Sequence, residues 1–135
     1  MTAEIIYKGG LRTEAQHLQS GTIIETDAPT DNNGKGERFS PTDLVATALG
    51  CCILTYLGIA AQTHGFDIDG TAVSVQKIMA TNPRRIGEIQ VTLRFPSDKS
   101  YDDKTRTIIE RTAMGCAVIE SLHPDLKKTI NFVWP

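Results

Sequence analysis

The sequence is sparing with the residues that would announce a function by themselves. It has three cysteines in 135 residues, Cys51, Cys52 and Cys116, too few and too oddly numbered for a disulfide framework. No CxxC pair occurs, and His17, His64 and His123 fall in unrelated segments, so no metal site or cofactor is expected. Charge of either sign is not in excess: 14 basic and 16 acidic side chains leave a net charge of −2, which gives no footprint for nucleic acid. The N-terminus, MTAEIIYKGG, lacks a basic segment followed by an apolar run, so a secretory signal is not expected, and the cytoplasm, where thiols stay reduced, is. Repeats and low-complexity tracts are absent. Long hydrophobic runs are almost absent too: Leu44 to Ala61 is uncharged for eighteen residues, at the lower limit for crossing a bilayer. Thr, Gly and Ala dilute that run, Asp43 precedes it and sheet-like segments flank it, so a buried core helix is expected and no membrane partner.

What remains is an ordinary globular composition, 40% apolar and 22% charged, in a chain long enough for a real core. A single domain over residues 1–135 is expected, with small molecules or protein as partners. AEIIYK and GTIIET are short β-rich runs flanking the glycine-bounded GGLRTEAQHLQSG, which predicts three antiparallel strands. DAPTDNNGKGERFS reads as a long surface loop that delivers Arg38 to the start of a helix. Ser40, Pro41 and Asp43 form the start signal of that helix, and His64 with Gly65 its stop. Because the helix is apolar nearly all round, a second subunit is a reasonable source of cover.

Residues 71–80 and 87–95 predict two more strands. In the second, Ile89, Val91, Leu93 and Phe95 alternate with Gln90, Thr92 and Arg94, giving one wet face. Ser100 with Asp103 signals another helix, broken at Gly115. A short helix then begins at Cys116 and ends before Pro124, followed by a strand with Ile130, Phe132 and Trp134 on one face. The fold class expected is α+β, an antiparallel sheet packed on a long buried central helix.

Adjacent residues on a helix point about 100° apart, so Cys51 and Cys52 cannot form a bridge without breaking the helix. Cys52 shares its face with Val45, Ala48, Leu49 and Tyr56, and Cys51 with Leu44, Thr47, Ala48 and Thr55. Either could be a small core residue. Cys116 opens a short helix, where free N–H groups would favour a thiolate. A cysteine there, with another deep in a helix of a cytosolic chain, has the form of a peroxide-reducing thiol and its resolving partner.

FSPTDLVATALGCCILTYLGIAA, GGLRTEAQHLQSG, NNGKGERFSP and GCAVIESLHPDLKKTINF together resemble the OsmC/Ohr superfamily, the osmotically inducible and organic hydroperoxide resistance proteins. The resemblance runs over essentially the whole chain. In that family the peroxidatic cysteine lies eleven residues after the proline opening the central helix, which from Pro41 is Cys52; the resolving cysteine matches Cys116. The resemblance implies an intertwined homodimer with long helices at its centre, a reaction without cofactor, an organic hydroperoxide as substrate and an external thiol or dithiol as reductant. It also implies an arginine near the peroxidatic thiol, for which Arg12 is preferred to Arg38. Two positions depart from the pattern: Thr42 stands where Ohr-type members carry glutamate, with the acid moved to Asp43, and Ala117 stands where many members have proline. His123 and Tyr56 are expected to be structural. The rival expectations are a dimeric small-ligand-binding protein and a redox sensor of the same fold.

Overall fold

The computed structural model describes residues 1–135, in two compact units, Met1–Val45 and Ala46–Pro135. The first unit is a three-stranded antiparallel sheet, β1 (Ala3–Gly9), β2 (Arg12–His17) and β3 (Ile23–Asp27), in the order β1-β2-β3. The turn between β1 and β2 holds Gly9, Gly10 and Leu11 at φ of 86°, 61° and 61°, a left-handed path that two glycines make accessible. The β2–β3 register sets Arg12 directly opposite Asp27. Apolar side chains of this sheet stay uncovered: Ile5 is 67% exposed, and Ile6, Tyr7, Ile23 and Ile24 are also exposed.

The loop after β3 has structure of its own. A 3-10 turn at Thr30–Asn32 is followed by hydrogen bonds from the Gly34 amide to the Pro29 carbonyl and from the Gly36 amide to the Ala28 carbonyl. Its end is fixed where the Asp27 amide donates to the Phe39 carbonyl. At Ser40 and Asp43 the expected capping box forms with both bonds: the Asp43 amide donates to Ser40 Oγ at 3.0 Å, and the Ser40 amide to Asp43 Oδ2 at 2.9 Å. That box opens α1 (Pro41–His64), within which the boundary between the units falls.

The second unit holds the rest of α1, then β4 (Ala72–Ala80), β5 (Arg85–Arg94), α2 (Asp103–Ala113), α3 (Ala117–Ser121) and β6 (Lys127–Val133). β4 and β5 are antiparallel, whereas β6 pairs parallel to β5, so this sheet departs from purely antiparallel pairing. The reason is the crossover: β5 and β6 are joined by two helices, long enough to bring the chain back to the same end of the sheet. Ile89, Val91, Leu93 and Phe95 are all buried, as their alternation requires, and with Leu49, Ile53 and Leu57 of α1 and Ile109 of α2 they make the core. α1 approaches β4 closely at Gly50, where an added Cβ would lie 2.8 Å from Val75 and 3.2 Å from Val73.

One boundary differs from expectation for a local reason. The N-cap of α2 is Asp102, whose carboxylate accepts the Thr105 amide at 2.8 Å, rather than Ser100. α3 ends at Ser121, ahead of Pro124, with Leu122 already extended at ψ 152°. Trp134 closes the unit. Its ring stacks on Phe95 at 4.8 Å and Phe132 at 5.6 Å, with the Arg106 guanidinium 4.8 Å over it.

Candidate active site

Three cysteines on two helices meet very different surroundings. Cys51 is exposed on α1, Cys52 on the same helix is half-buried against the core, and Cys116 is fully buried as the N-cap of α3. The helix turn accounts for the split, because successive positions face about 100° apart. Cys116 lies in the hydrophobic core cluster and Cys52 packs against that same cluster, so that the two thiols are neighbours that influence one another. Cys51 shares none of this.

Burial pushes the Cys116 thiol above its ordinary range; the amides of Ile119 and Val118 oppose that, and the neighbouring Cys52 sulfur adds to it. The net direction is the reverse of the expected thiolate stabilisation at a helix start. α3 has only five residues, and its dipole does not offset the loss of water around a side chain with no exposed surface. Cys116 therefore stays a neutral thiol at physiological pH.

Arg12 belongs to the first unit and has a dedicated partner there. Its Nε donates to Asp27 Oδ1 at 2.7 Å and its Nη2 to Asp27 Oδ2 at 2.8 Å, a two-pronged pair; Glu37 lies 3.5 Å from Nη2. Asp27 is buried and also accepts the Glu37 amide at 3.2 Å. The hydrogen bonds from Arg12 hold the Asp27 carboxyl below the usual carboxylate range, and the same bonds raise Arg12 and keep it charged. Neither Asp27 nor Glu37 emerged from the sequence. The signal was available in the hairpin arithmetic, since placing the β2–β3 turn at residues 18–21, with His17 opposite Thr22, puts Arg12 opposite Asp27.

Arg38 is held less firmly. Its Nε meets Glu25 at 3.4 Å, its Nη1 donates to the Glu37 carbonyl, and it lines an open cleft of about 370 Å³ with Gly36, Glu37, Phe39 and Asp43. Asp43 faces this cleft while its Oδ2 serves the cap, and Thr42 lies within hydrogen-bonding distance of Ser40 Oγ at 3.2 Å. Tyr56 packs on the core of the second unit. The His123 ring is exposed and accepts the Asp125 amide at Nδ1, shaping the turn before β6. No group of three or more His, Cys, Asp or Glu side chains is arranged to hold a metal.

Residues 34–131 match the family model for OsmC-like protein. The chain belongs to the OsmC-like family. Among solved structures it is similar to a Psychrobacter arcticus 273-4 protein named as an osmotic stress induced and detoxification response protein, with 48% identity, a TM-score of 0.93, and 98% of this chain and 95% of that one covered. An OsmC-like protein from Mycoplasma pneumoniae shares the fold at 16% identity and TM-score 0.80, covering 97% of this chain and 94% of that one. The organic hydroperoxide resistance protein OsmC of Legionella pneumophila shares it at 11% identity and TM-score 0.73, covering 98% and 97%. A search of curated proteins gave no match. In this OsmC-like chain α1 is long and apolar enough to cross a membrane by length and composition alone, yet it is the helix that packs at Gly50 against β4 and supplies the core.

Proposed function

We propose that this OsmC-like protein is a single-domain, thiol-dependent peroxidase that reduces organic hydroperoxides, with Cys52 as the attacking thiol and Cys116 as the resolving thiol. The observation that carries the reading is that two cysteines far apart in sequence meet at one hydrophobic cluster, Cys116 within it and Cys52 packed against it. The half-buried sulfur attacks and the buried neutral one waits. The Cys52 thiolate attacks the terminal peroxide oxygen, forming an S–O bond as the O–O bond breaks; the alkoxide takes one proton and leaves as the alcohol, and a sulfenic acid remains. The Cys116 thiol condenses with that sulfenic acid, forming the S–S bond and releasing water. An external thiol or dithiol returns both cysteines to the reduced state by exchange. The apolar surroundings favour a peroxide with an alkyl or aryl group over hydrogen peroxide.

Arg12 is assigned to polarising the peroxide as a fixed cation, with Asp27 and Glu37 holding its guanidinium. The protein acts as a cytoplasmic homodimer, supported by the uncovered Ile5, Ile6, Tyr7, Ile23 and Ile24 of the first unit and the exposed Ile59 and Val45 of α1. The test is cumene hydroperoxide consumption with dithiothreitol by wild type, Cys52→Ser and Cys51→Ser. The Cys52 variant is expected to lose turnover and the Cys51 variant to keep it; equal rates for wild type and Cys52→Ser would remove Cys52 from the chemistry.

A further inference from the structure

From the same pair of thiols, but independently of any peroxide turnover, we infer that Cys52 and Cys116 form a chelating site for monosubstituted trivalent arsenicals, compounds of the type RAs=O or RAs(OH)2. The first requirement of such a ligand is two neighbouring sulfurs, and the fold brings Cys52 of α1 and Cys116 at the start of α3 to one hydrophobic cluster. The second is that the site tolerate the product. Here the surroundings decide among thiophilic ligands.

Cys116 has no exposed surface, and the cluster around the pair is apolar and aromatic. A divalent metal would have to find further ligands beyond the two sulfurs, and no group of three or more metal-ligating side chains exists. An arsenical asks for none. Arsenic(III) forms two As–S bonds, the two thiol protons leave with the arsenic-bound oxygen as one water from RAs=O or with the two hydroxyls as two waters from RAs(OH)2, and no atom is oxidised or reduced. The product is neutral, so nothing charged is buried, and the organic substituent lies among side chains that welcome it. Arsenic(III) also needs only two sulfurs when it carries a carbon.

The neighbouring Cys51 offers a competing pair with Cys52 on paper. Their side chains diverge by about 100° on the helix, and Cys51 points to solvent, so the bite belongs to Cys52 and Cys116.

The probe is phenylarsine oxide, added at one equivalent to the reduced, full-length protein, with intact mass and then alkylation mapping as readouts. The expected result is a single adduct of one phenylarsenic group less two hydrogens, reversed by excess dimercaptopropanol. When the adduct is unfolded in denaturant, so that burial no longer shields any thiol, Cys52 and Cys116 are protected from iodoacetamide while Cys51 is labelled, and in the unfolded untreated protein all three are labelled. Because the mapping uses wild type, it does not depend on any variant folding. No adduct, or protection of Cys51 together with Cys52, overturns the assignment. Cys51→Ser should bind as wild type does, and Cys116→Ala, checked for its fold by circular dichroism, should lose the reversible adduct; an adduct kept by a folded Cys116→Ala also overturns it. A protein that binds the arsenical but does not consume peroxide would contradict the peroxidase reading while leaving this site standing.

Discussion

At the scale of single residues, Asp27 and Cys116 are both buried and hold opposite ionisation states. Asp27 keeps its charge because Arg12 grips both of its oxygens; Cys116 keeps its proton because nothing of comparable strength stands near it. The consequence for Cys116 is measurable in the reduced protein. Iodoacetamide near pH 7 should label Cys51 well before Cys116, and Cys116 labelling should rise only as pH passes above the ordinary thiol range of about 8.5. Equal labelling of the two at neutral pH would contradict the buried neutral thiol. For Asp27 the sign runs the other way. Its carboxyl is lowered in the folded state, so its contribution to stability is fully present above the unfolded value of about 3.9 and is lost as pH falls through the lower folded value. Asp27→Asn should lower the melting temperature at pH 7 and flatten the acid limb of the stability curve relative to wild type. Arg12→Ala should lower kcat/KM for cumene hydroperoxide by about 100- to 1,000-fold, a loss in the range of one removed transition-state donor.

Among elements, α1 dominates, because it begins at the Ser40–Asp43 box, passes Gly50 and carries Cys52. Gly50→Ala places a methyl group 2.8 Å from Val75, a β-branched side chain with little room to turn, and should destabilise the protein by about 1–3 kcal/mol in chemical denaturation. A neutral or stabilising result would mean that α1 and β4 are not packed as described. Much of this layer was legible in the sequence for a physical reason: the cap, the helix stop and the alternation of β5 are written in neighbouring residues. Features set by distant residues were not. The parallel pairing of β6 depends on where the α2–α3 crossover returns the chain, and the Arg12–Asp27 pair depends on strand register. The raised Cys116 thiol depends on core packing that a helix-start rule does not include. The meeting of Cys52 and Cys116 at one cluster is such a feature, since spacing along the chain says nothing of distance in space.

For the whole molecule, the uncovered apolar side chains are the feature that a lone chain does not explain. β1 exposes Ile5, Ile6 and Tyr7, so both faces of that strand carry apolar surface. Sedimentation equilibrium should give twice the chain mass for wild type, and Ile6→Glu should shift the population toward monomer. A monomeric wild type at micromolar concentration would contradict the homodimer.

The central claim is that Cys52 and Cys116 work as a redox pair and Cys51 does not. One equivalent of cumene hydroperoxide added to the reduced protein, followed by intact mass and peptide mapping without reductant, tests it most directly. The account predicts a loss of two hydrogens, a Cys52–Cys116 cross-linked peptide and a free Cys51. An unchanged mass, or a bridge that includes Cys51, would contradict it.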